Sequence, residues 1–168
     1  MNRQILIAGI GNIFSGDDAF GVEVVRELLL HPLPESVCVK DFGIRSYDLA
    51  YAIMDGYATT ILVDATPRGQ APGTLYLIEP DVACLGVQRS VDAHSLDPVG
   101  VLGLVRTLGG HLGKLYLVGC EPEVLESDEI GLSPSVRAAV PQAVKMIESL
   151  VGRLLKENSA ALPDREFV

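Results

Sequence analysis

The chain has 168 residues, with 13 basic and 22 acidic side chains and a formal net charge of −9. An apolar fraction of 48 % and a charged fraction of 21 % exclude a disordered chain, which lacks the apolar mass for a core. The length suits one domain burying roughly 70 % of its extended surface, and the acidic balance, without any Lys/Arg cluster, excludes a nucleic-acid partner.

Short apolar runs alternate with helical patterns along the chain. Gln4–Ala8 reads as a buried strand. Asp18–Leu30 follows as a helix, because Val22, Val25 and Leu29 recur at helical spacing and Pro32 stops it. Val37–Asp41 is a second strand. Tyr47–Met54 is a second helix with Ser46 as its cap and Gly56 after its end. Thr60–Ala65 is a third strand and Gly73–Ile78 a fourth, antiparallel or at an edge because only the turn Pro67–Pro72 separates them. Asp97–Leu108 is a helix with Pro98 in its first turn, Lys114–Cys120 a fifth strand, and Pro134–Lys156 a long closing helix. Strands apolar on both faces and separated by helices predict a three-layer α/β fold, with a mostly parallel five-stranded sheet between helices. The domain is expected over residues 1–157, with 158–168 a flexible tail.

Arg3 ahead of an apolar stretch resembles a signal peptide only faintly. No small-residue cleavage site follows, so a first strand is the better reading. No apolar run reaches the ~18 residues of a membrane span. Cys38, Cys84 and Cys120 are odd in number and far apart, which predicts no disulfide framework and fits a reduced, cytoplasmic setting.

Ligands of open α/β sheets bind beyond the carboxyl ends of the strands. There the sequence puts Gly9-Ile10-Gly11-Asn12, Ser15-Gly16-Asp17-Asp18, Asp41-Phe42-Gly43, Asp64-Ala65-Thr66, Asp92-Ala93-His94-Ser95 and Gly119-Cys120-Glu121. A nucleotide-binding, Rossmann-like reading is the alternative this invites. It is weak, because Phe14 replaces the third glycine of the fingerprint and two aspartates occupy the phosphate position. There is no P-loop lysine, no G-x-S-x-G, no H-E-x-x-H and no Asp-[Thr/Ser]-Gly. Cys120 ends a strand and could be a nucleophile, but a buried cysteine is more often a small apolar residue. Two carboxylates and an imidazole, from Asp18, Asp64 and His94, would suit a divalent ion such as nickel, zinc or iron. Each has a plainer reading: a helix-end charge, a turn residue, a loop histidine. Asp17 reads as a helix-end charge ahead of a partner role to the metal ligands.

Gly9-Ile10-Gly11-Asn12-Ile13 with Asp18 and Gly21-Val22, then Ile61-Leu62-Val63-Asp64-Ala65, Pro72-Gly73-Thr74-Leu75, the Asp92–Leu96 loop, Leu117-Val118-Gly119-Cys120-Glu121-Pro122 and Ile130-Gly131-Leu132-Ser133-Pro134 together resemble the nickel-iron hydrogenase maturation endopeptidases. The resemblance covers all but the tail. It implies a protease that removes the C-terminal extension of a hydrogenase large-subunit precursor after nickel insertion. It also implies that Asp18, Asp64 and His94 contact the metal, as catalysts or as a clamp on nickel that the substrate supplies; another divalent metal in the isolated protein is the other option. Asp18 stands where many relatives carry Glu, one methylene longer. Arg45 lies in a turn the family associates with substrate recognition. A monomer is expected, and a precursor-binding chaperone that never cuts is the non-catalytic alternative.

Overall fold

Strands that must be covered on both faces need apolar residues throughout, and β1 (Ile5–Ile10) and β3 (Thr59–Ala65) are buried at every position. In the computed structural model, which describes residues 4–81 and 98–161, they form the centre of a five-stranded sheet. The remaining elements in chain order are a 3₁₀ turn (Gly16–Ala19), α1 (Phe20–Leu28), β2 (Val37–Gly43), α2 (Ser46–Met54), β4 (Leu75–Ile78), α3 (Pro98–Thr107), β5 (Lys114–Cys120) and α4 (Pro134–Ala160). The sheet order is β2-β1-β3-β5-β4, parallel except for β4, which pairs antiparallel with β5 at one edge.

Alternating side chains divide the interior into two cores. Ile5, Ile7, Ile61 and Val63 face α1 and α4, with Phe20, Val144 and Ile147 packed onto them. Leu6, Ala8, Ile10 and Leu62 face α2 and α3, against Leu49, Ile53, Leu102 and Val105. The α/β three-layer architecture predicted from the sequence is therefore the one observed. Among the described residues, no helix is long and apolar enough to cross a membrane.

β1 is Ile5–Ile10 rather than Gln4–Ala8, and β4 begins at Leu75 rather than Gly73; four further differences from expectation have a local reason. The first helix is split, its opening turn tightening into the 3₁₀ turn. β2 continues to Gly43 because the Gly11 N–H donates to the Gly43 carbonyl (3.0 Å) past an irregularity between Gly9 and Ile10. Ser46 is not the cap of α2: Arg45 occupies that position, and no side chain makes a capping bond. Instead the Arg45 guanidinium donates to the carbonyls of Phe42 and Asp41, closing the turn ahead of the helix. α4 runs to Ala160, beyond Lys156, and its Asn158 amide donates to the Gln4 side chain at 3.3 Å.

Candidate functional site

The chain leaves β1 for a helix on one face, and leaves β2 for a helix on the other, before returning to β3 beside β1. The crevice between β1 and β3 is thus the topological switch point of the sheet, where ligands of open α/β folds bind. Glycines let the loops close over it. A Cβ on Gly21 would lie 2.0 Å from the Val63 carbonyl and 2.4 Å from that of Ile10, so only glycine lets α1 start this close to both strands. Gly11 has φ +137°, and a Cβ there would meet the Asp18 carbonyl at 1.8 Å. The loop after β1 is thereby folded back onto the 3₁₀ turn, which packs against β3.

Asp18 sits on that turn, half-buried. Its Oδ2 accepts the Asn12 N–H at 2.9 Å, and Oδ1 takes no hydrogen bond among the described residues. Burial pushes its pKa above the usual carboxylate value; the Asn12 bond opposes this, and the negative charge of Glu126 adds to it. A carboxylate disfavoured as an anion, with one oxygen open, is a group that a cation would stabilise. Asp64 lies at the end of β3, 7 % exposed, opposite Gly119 of β5. Alternation along the strand sets it on the face of Leu62. The structure therefore brings Asp18 and Asp64 to neighbouring elements at one crevice. His94 lies outside the described residues. Among the described residues no three His, Cys, Asp or Glu side chains group as a metal site.

Asp17 is not the helix-end charge expected of it. It is 1 % exposed. Its Oδ2 accepts the N–H of Glu123 (2.8 Å), the N–H of Val124 (3.0 Å) and the Ser133 hydroxyl (2.8 Å), while Oδ1 accepts the Ser133 N–H (2.7 Å). Burial raises its pKa, but these four bonds outweigh it and hold the group below the usual value. Asp17 thus fastens the segment between β5 and α4 to the rim of the site.

Glu121 is a second buried carboxylate, 5 % exposed. It accepts the N–H groups of Arg68 (2.8 Å) and Gly69 (3.0 Å) and the Tyr76 hydroxyl (2.7 Å). It pins the turn between β3 and β4, and the Tyr76 bond foremost keeps its pKa low. The sequence places Glu121 on the rim but carries no signal for this role, because its donors lie more than 40 residues upstream.

Cys120 is fully buried. Burial, then the charges of Asp17 and Glu121, push its thiol up to about 12. It is a neutral core thiol at physiological pH and a poor nucleophile. The loop that a dinucleotide would need carries the half-buried Asp18 carboxylate, which opposes phosphate. A groove of about 630 Å³, lined by Lys40, Asp41, Arg45, Asp48 and Asp55 among others, opens between β2 and α2.

Residues 22–150 match the family model described as hydrogenase maturation protease. The hydrogenase 2 maturation protease of Escherichia coli is 32 % identical over 162 residues, covering 95 % of this chain and 96 % of the relative. The fold superposes on the hydrogenase maturating endopeptidase HybD from E. coli with a TM-score of 0.73 at 29 % identity, over 89 % of this chain and 93 % of that one. A hydrogenase 2 maturation peptidase from a Thaumarchaeota archaeon gives 0.69 at 29 % identity, over 89 % and 98 %.

Proposed function

The chain belongs to the hydrogenase maturation protease family, enzymes that hydrolyse peptide bonds, and on that footing we propose that it removes the C-terminal extension of a nickel-iron hydrogenase large-subunit precursor once nickel has been inserted. What supports the finer reading is that the half-buried Asp18, one oxygen without a hydrogen bond among the described residues and its charge disfavoured, and the buried Asp64 lie on elements that pack against each other. His94 completes the proposed set. These side chains grip nickel carried by the precursor, so the metal arrives as part of the substrate. Loaded and empty precursor then differ in affinity by the contacts nickel makes, which is a checkpoint by differential binding.

Peptide hydrolysis needs a water placed against the scissile carbonyl and a base to take its proton. Docking the precursor's nickel between Asp18, Asp64 and His94 fixes the adjoining peptide relative to the crevice. A carboxylate of the rim supplies the base. The buried Asp17 and Glu121 hold the rim's loops but face their own donors, so neither presents a free oxygen to substrate. The enzyme works in the cytoplasm as a monomer in this reading.

The test is intact-mass measurement of a large-subunit precursor from the same organism, incubated with the protein in nickel-loaded and nickel-free form. Shortening of the loaded form alone is the expected result. Shortening of both, abolished by a chelator, would assign a resident divalent metal instead. Binding without shortening would assign a chaperone.

A further inference from the structure

Two loops border Asp18, and both put apolar side chains into solvent. Phe14, four residues before Asp18, is 66 % exposed; Val124 and Ile130, between β5 and α4, are 45 % and 76 % exposed. The loops form one platform: the Gly16 N–H donates to the Glu129 carbonyl (3.3 Å), the Asp17 N–H to that of Val124 (3.0 Å), and the Ser15 hydroxyl to that of Leu125 (3.2 Å). Leu125 and Leu132 pack inward against the α1/α4 core. Together with the Asp17 bonds, these contacts hold the exposed residues on a rigid base.

The polar residues of this platform are of one sign. Glu123, Glu126, Asp128 and Glu129 are all exposed, and none forms an ion pair among the described residues. Arg137 lies alongside and donates to the Leu132 carbonyl at 3.4 Å, leaving the platform strongly negative. Exposed apolar groups ringed by unpaired charge mark an interaction surface. A second copy of this chain is a poor occupant, because a symmetric contact would press the same acidic ring against itself in a chain of net charge −9.

We propose that the platform formed by Phe14, Val124 and Ile130 with Glu123, Asp128 and Glu129 docks a basic, apolar-centred face of the precursor and so delivers its nickel to Asp18. This rests on the proposed function, since it names the surface by which that substrate is held. Phe14 and Ile130 supply the desolvated contact, and the carboxylates steer and orient the approach.

The test compares wild type with Phe14→Ser/Ile130→Ser and with Glu123→Gln/Asp128→Asn/Glu129→Gln, each checked for an unchanged far-ultraviolet spectrum and melting curve. Binding of the nickel-loaded precursor is read by biolayer interferometry, and processing by mass spectrometry, at low and high salt. Each variant should weaken binding and raise KM roughly tenfold or more at low salt, with kcat unchanged. In the charge variant the salt dependence should flatten. Wild-type binding and KM in both folded variants would overturn the proposal. So would a concentration-dependent dimer of the wild type that Phe14→Ser/Ile130→Ser dissolves. A wild type that binds the precursor but never shortens it would refute the protease reading, while the binding arm still decides the platform; a wild type that binds no precursor refutes both.

Discussion

Replacing Asp17 by Asn keeps the shape of the side chain but removes its charge and one acceptor. If the amide oxygen takes the place of Oδ2, the NH₂ group faces the Ser133 N–H, donor against donor; in the opposite orientation it faces the N–H groups of Glu123 and Val124. Hydrogen bonds to a charged acceptor contribute about 1.5–3 kcal/mol each, and a buried donor left unpaired costs about 1–3 kcal/mol. Because the four bonds share one carboxylate they do not add, so Asp17→Asn should lose about 3 kcal/mol and Asp17→Ala about 3–5 kcal/mol. For a chain of this size, about 3 kcal/mol lowers Tm by roughly 6–12 °C. Circular dichroism melts at neutral pH read this directly. The pH profile adds an independent arm. The folded-state pKa of Asp17 is lowered from 3.8, so its contribution is complete above about pH 3.8 and is lost as pH falls through the depressed folded value. Wild type and Asp17→Asn should therefore converge in stability in strong acid. A loss below about 1 kcal/mol at neutral pH, or a gap that does not narrow in acid, would refute the account of Asp17 as the fastening of the rim.

Asp64→Asn and His94→Ala should each abolish precursor shortening while leaving the melting curve close to wild type; wild-type processing by either soluble variant would remove the metal-clamp reading. Cys120→Ser should still process, and peptide mapping after iodoacetamide at neutral pH should find Cys120 unlabelled until the chain is denatured, because a thiol near 12 carries almost no thiolate. Tyr76 should ionise only near pH 12, held neutral first by burial and then by its bond to Glu121; the absorbance titration at the phenolate band, wild type minus Tyr76→Phe, reads this, and a difference step near pH 10 would contradict it. Gly21→Ala should cost more than about 3 kcal/mol, because its methyl group would lie 2.0 Å from the Val63 carbonyl; a stable variant would show that α1 can withdraw from β1 and β3.

The sheet was readable because β1, β3 and β5 are apolar on both faces, a pattern that only a doubly covered sheet explains. β4 was readable as an antiparallel edge because the turn before it is too short for a crossover helix. Asp18 and Asp64 were readable as rim carboxylates because each ends or follows a strand that flanks the switch point. Asp17 was readable as a rim residue but its fastening role was not, because its donors lie 106 to 116 residues downstream and no local pattern announces them. The 3₁₀ turn was hidden for a related reason: the closeness of α1 to the sheet is set by the Ile10 and Val63 carbonyls facing Gly21, a contact between backbones. Side-chain periodicity cannot register such contacts.

Neighbouring aspartates in the same turn divide two tasks that one carboxylate could not perform together. Asp17 has both oxygens engaged by four donors, which lower its pKa and remove it from any exchange with a ligand. Among the described residues Asp18 has a single donor on one oxygen, and burial with the charge of Glu126 disfavours its anion. The first arrangement makes a strong, permanent fastening. The second leaves a group whose charge is stabilised only when something positive arrives. Moving one donor from Asp17 to Asp18 would weaken both, since the fastening would lose a bond and the open oxygen would gain a partner that a cation must displace.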